Sequence, residues 1–75
     1  MTKAQFNKIM KEVKMISQDG PMDDEAAYDT AAWILMDNPG LKEFIQKHGG
    51  AYDTQGWLMC EIVNLNRYSA TPHKA

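Results

Sequence analysis

The heptapeptide AYDTAAW at residues 27–33 recurs as AYDTQGW at residues 51–57, with five of the seven positions identical. Each copy is followed by three apolar residues and then by an acidic residue, Asp37 or Glu61. Chance seldom produces so close a match in a chain of 75 residues. The match therefore predicts an internal duplication, in which two segments of one helical domain occupy equivalent environments.

Turn and capping signals divide the chain into four predicted helices. Thr2 followed by Gln5 resembles a capping box, and apolar residues then recur at helical spacing, which predicts helix 1 over about residues 3–17. The acids at residues 23–25 begin helix 2, because a helix N-terminus favours negative charge. Proline and glycine end each helix and separate it from the next. These breaks are Gly20-Pro21, Asn38-Pro39-Gly40 and Gly49-Gly50.

The breaks leave a short helix 3 over about residues 39–48 and a helix 4 over about residues 51–66. Gln55 replaces Ala31 of the first copy on the apolar face, which favours a start of helix 4 at Asp53 or Thr54 as a cap. The expected fold is an all-α, compact four-helix domain over residues 1–67, with helices 2 and 4 as a pseudo-repeat and a flexible tail at residues 68–75. The expected core residues are Phe6, Ile9, Val13, Leu35, Phe44, Leu58 and Ile62.

The two tryptophans are the candidate binding residues. On a helical wheel each projects away from the apolar face and lies between two acids. Tryptophan is enriched among interface hot spots, and its indole N–H can donate to a carboxylate. The alternatives are that the tryptophans fill a second interior wedge against helix 1 or helix 3, or that one is buried and the other exposed. The two predicted sites are Asp29-Trp33-Asp37 and Asp53-Trp57-Glu61.

The net charge is −2, and its sign changes along the chain. Residues 1–18 contain four lysines, whereas residues 19–37 contain six acidic residues and no basic one. Helix 3, Gly49-Gly50 and helix 4 resemble a helix-turn-helix, but the second helix has no Lys or Arg before Arg67, which makes it a poor partner for phosphates. DNA binding and acidic mimicry of a nucleic acid are the two alternatives that follow from this pattern.

Catalytic chemistry finds little support in the sequence. Cys60 lies within the apolar pattern of helix 4, which predicts a buried and inert thiol, and the only histidines are His48 and His73. One cysteine and two scattered histidines are not a zinc site, and the chain contains no glycine-rich phosphate loop. We expect no catalytic residues, no metal and no cofactor.

The sequence therefore predicts a small non-enzymatic protein that acts in protein–protein interaction or regulation, as an adaptor or an inhibitor. Its partner is another protein of unknown identity, and a homodimer is one remedy for the small core of so short a chain. Neither nucleic acid nor a membrane is an expected partner. The single cysteine and the lack of a secretory or membrane-spanning segment favour the cytoplasm.

Overall fold

Four α-helices and one π-helical turn form the computed structural model, which describes residues 1–49 and 53–70. No strand occurs within these two ranges. The all-α class and the short third helix are confirmed. The elements are α1 (Lys3–Ser17), α2 (Asp24–Asp37), α3 (Leu41–Phe44), the π-turn (Ile45–Gly49) and α4 (Thr54–Ala70).

The helix starts follow from side-chain caps. Thr2 Oγ1 accepts a hydrogen bond from the Gln5 N–H at 3.1 Å, while Gln5 Oε1 accepts one from the Thr2 N–H at 2.7 Å, so the predicted capping box is present. Asp23 accepts from the Ala26 N–H at 2.8 Å and starts α2. Asp53 accepts from the Gly56 N–H at 3.1 Å. Because Asp53 is the cap, α4 begins at Thr54 and not at residue 51.

At its other end α4 continues to Ala70. It therefore extends beyond the predicted helix end at about residue 66 and beyond the predicted domain boundary at residue 67. Residues 71–75, most of the predicted tail, lie outside the described residues.

The core lies mainly between α2 and α4, the two helices with the most extensive mutual contact. Four of the seven expected core residues, Ile9, Val13, Leu58 and Ile62, are buried. Phe6, Leu35 and Phe44 are only half-buried. Phe6 and Leu35 pack against the edge of the core, and Phe44 stacks on Phe6. The full set of buried apolar residues is Ile9, Val13, Ala27, Ala31, Ile34, Leu41, Ile45, Leu58 and Ile62.

A buried amide joins the last part of α4 to the end of α1. The Asn66 side chain donates hydrogen bonds to the Ser17 carbonyl, at 2.9 Å, and to the Gly20 carbonyl. Gly20 has a φ of 134°, a conformation that side chains other than glycine rarely adopt. The loop after α1 is therefore held in one conformation by a residue far away in the sequence.

We expect Leu58→Ala to lower the free energy of unfolding by about 2–5 kcal/mol, because Leu58 is fully buried and its truncation leaves a cavity. The same truncation of half-buried Leu35 should cost at least about 1 kcal/mol less, because part of its side chain is already in water. Chemical denaturation of both variants checks this. Equal losses at the two positions would show that the core is not centred on Leu58.

Asn66→Ala should lower the free energy of unfolding by about 1–3 kcal/mol, because two backbone carbonyls lose their donor. Asn64 lies two residues earlier on α4 and is exposed, so Asn64→Ala is the matched control and should change stability by less than about 0.5 kcal/mol. Thermal unfolding of the two variants measures the difference. A pair of variants with the same melting temperature would contradict the role given to Asn66.

Candidate functional site

Trp33 lies on the outer surface of α2. Its side chain is 65% exposed, and that of Met36 is 72% exposed. Asp29 and Asp37, one turn before and one turn after Trp33, are also exposed. At about 100° of rotation per residue, these four side chains lie within about 100° of the helix circumference. We call this surface, formed by Asp29, Trp33, Met36 and Asp37, the Trp33 face.

The Trp33 face follows from how α2 packs. Ala27, Ala31 and Ile34 are the buried residues of α2, and they lie on the opposite side of the helix from Met36. Two of these three buried residues are alanines, and the two most exposed large apolar side chains of the helix, Trp33 and Met36, lie on its outer side. The result is an exposed apolar pair bordered by carboxylates.

Trp57 has a different environment. It is half-buried, and it packs against the core. A methyl group added at Gly49 would lie 3.6 Å from Cγ2 of Ile45 and 3.8 Å from Cε2 and Nε1 of Trp57, which places the indole beside the π-turn. Trp57 and half-buried Glu61 line an apolar groove of about 390 Å³. The other lining residues are Phe6, Met10, Phe44, Ile45, His48 and Gly49.

Stacked rings form one wall of this groove. The Phe6 and Phe44 ring centroids are 4.6 Å apart, and those of Phe44 and His48 are 4.3 Å apart. The π-turn follows α3 directly and carries His48. Such turns occur often at functional sites, so the groove is a second candidate surface. The sequence did not indicate this groove, because its pattern places Phe6 and Phe44 in the core and offers His48 only as a catalytic base for Cys60.

The predicted equivalence of the two sites is therefore not seen in the positions of the acids and rings. Asp29 lies inside α2, whereas Asp53 precedes α4 and caps it. Trp33 is exposed, and Trp57 is half-buried. The alternative in which one tryptophan points inward and one outward describes this structure. Tyr52, which the repeated heptapeptide aligns with Tyr28, lies outside the described residues, and the duplication stays a prediction.

The expectation for Cys60 is wrong, because its thiol is exposed. Cys60 is two residues from both Leu58 and Ile62 and so lies on the opposite side of α4 from these buried residues.

Within residues 1–49 and 53–70, no three His, Cys, Asp or Glu side chains are grouped so that they could hold a metal ion. Over the same part of the chain, no helix has the length and apolar character needed to cross a membrane.

The fold and these surfaces define a small all-α domain with an exposed aromatic face and an apolar groove. Comparison with protein-family models, with curated proteins and with solved structures finds no match to this chain.

The two environments predict that the same truncation changes stability by different amounts. Trp57→Ala should lower the free energy of unfolding by about 2–4 kcal/mol, somewhat less than the loss of a fully buried indole. Trp33→Ala should change it by less than about 0.5 kcal/mol, because the ring is mostly in water. Denaturation monitored by circular dichroism checks both. A larger loss for Trp33→Ala would mean that the Trp33 face is covered in solution.

Proposed function

We propose that the protein is a non-enzymatic protein-binding module that acts as an adaptor or an inhibitor, and that it binds its partner through the Trp33 face. The observation that carries this proposal is the joint exposure of Trp33 and Met36 on one side of α2. Exposing two large apolar side chains to water favours association with another surface. Tryptophan is also the residue type most often found to dominate binding energy at interfaces.

The Trp33 face is a better anchor than the groove around Trp57. Within the groove the Phe44 ring stacks on Phe6 and contacts His48 in a tilted arrangement, and Trp57 lies beside the π-turn, so these rings already have partners inside the domain. Trp33 has most of its surface free to be buried by a partner. Removal of that surface from water is the main source of binding energy for an aromatic side chain.

The two alternatives have less support. A DNA-reading helix would present Asp53, Thr54 and Gln55, but Asp53 caps α4, Thr54 is buried, and the Gln55 side chain donates to the Tyr28 carbonyl at 3.1 Å. Two of these side chains are thus engaged in hydrogen bonds within the domain, and the third has almost no exposed surface to offer to DNA. Mimicry of a nucleic acid requires exposed acids alone and gives no reason for an exposed Trp33.

Exposed Met15 of α1 provides a control for this proposal. Met15 is 67% exposed and Met36 is 72% exposed, so their truncations remove similar apolar surface from water. Trp33→Ala should weaken partner binding by about 2 kcal/mol or more, which is about 30-fold, and Met36→Ala should weaken it less. Met15→Ala should leave binding unchanged.

The measurement is a titration of a partner captured with the wild-type chain, with the melting temperature of each variant recorded in parallel. Sedimentation of the chain alone tests whether the partner is a second copy. Full binding by folded Trp33→Ala would contradict the proposal, and the groove would then be the surface to test.

A further inference from the structure

The charge of α2 indicates what kind of partner the Trp33 face fits. Glu25, Asp29, Trp33 and Asp37 follow one another at intervals of one turn, and so form a single ridge along the helix. No basic residue occurs anywhere from residue 19 to residue 37. The exposed indole is therefore set in a row of carboxylates that α2 itself does not neutralise.

Helix stability accounts for only part of this ridge. Asp23 caps α2, and Asp24 and Glu25 lie in its first turn, where the helix dipole favours negative charge. Asp37 is the last residue of α2, where the same dipole disfavours a carboxylate, and the last turn contains no basic residue. Asp37 thus opposes the stability of the helix that carries it.

The neighbouring helix does not cancel this charge. Lys8 of α1 lines a groove with Asp37, but Glu12 of α1 lines the same groove, so α1 adds one ammonium group and one carboxylate there, beside the amino-terminal Met1. Ile16 of α1 is 46% exposed and lines an adjacent groove with Ile34 and Asp37. Lys8 is therefore shared between the carboxylates of Asp37 and Glu12, and exposed apolar side chains border this surface on both helices.

We infer that the Trp33 face binds a basic amphipathic helix of a partner protein, an inference that rests on the proposed function. The apolar side of that helix covers Trp33 and Met36, and its Lys or Arg side chains pair with Asp29 and Asp37. These two acids are eight residues apart, which corresponds to about 12 Å along α2, a spacing that a second helix can match at two turns. A second copy in a symmetric dimer would instead bring the acids of both copies together.

The test uses two designed 14-residue peptides, labelled with fluorescein, that are identical except for charge. One is an amphipathic helix of leucine and lysine, and the other has glutamate in place of every lysine. Binding to the full chain is followed by fluorescence anisotropy at low and at high salt. The variants are Trp33→Ala, the double variant Asp29→Asn with Asp37→Asn, and a control double variant, Asp19→Asn with Glu43→Gln. The control changes the net charge equally at exposed acids outside the Trp33 face.

The lysine peptide should bind, and the glutamate peptide should not. Asp29→Asn with Asp37→Asn should weaken binding about five- to tenfold and bring it close to the high-salt value, because exposed ion pairs are screened. The control variant should bind like the wild type. The melting temperature of the double Asp variant should stay equal or rise, since a carboxylate is removed from the end of α2.

Other outcomes separate this inference from the proposed function. The inference of a basic partner is wrong if Trp33→Ala loses binding while the double Asp variant retains it, or if the glutamate peptide binds equally well. The proposal that the Trp33 face binds a protein still stands in both cases. If folded Trp33→Ala binds the lysine peptide like the wild type, both proposals fail. A chain that sediments as a dimer and becomes a monomer with Trp33→Ala would show that a second copy occupies the face.

Discussion

The packing of α2 on α4 is the contact on which the rest of the structure depends. Ala27 and Ala31 of α2 and Leu58 and Ile62 of α4 are all fully buried in one core cluster, to which α2 contributes mostly small side chains and α4 large ones. Such a pairing lets helices approach closely while the larger side chains fill the space between them. The Gln55 side chain adds a hydrogen bond to the α2 backbone at 3.1 Å, near the start of α4.

This packing determines where the tryptophans go. Because alanines form much of the buried side of α2, Trp33 has no place in the core and projects into water. On α4 the large residues are inside, and α1 and the π-turn cover a further side of that helix, where Trp57 lies. Trp33 and Trp57 thus have different surroundings although their sequences are similar, since burial depends on which neighbours each helix has.

Local features were predictable from the sequence, whereas features that depend on neighbouring helices were not. The capping box of Thr2 and the breaks at Pro21 and Pro39 act over a few residues, and the bounds of α1 and α2 follow from them. A helical wheel shows a single apolar face, so it left open whether a second side of α4 is covered by neighbouring helices. The apolar run around Cys60 predicted a buried thiol, but Cys60 lies on the other side of α4 from Leu58 and Ile62 and is exposed.

The central claim is that one tryptophan is a surface group and the other a structural one, and quenching of indole fluorescence by acrylamide tests it most directly. Two variants, Trp57→Phe and Trp33→Phe, each leave a single indole to observe. We expect Trp33 to emit like indole in water and to be quenched several times more readily than Trp57, whose emission should be shifted to shorter wavelength. Equal quenching of the two, or stronger protection of Trp33 in a monomeric sample, would contradict it.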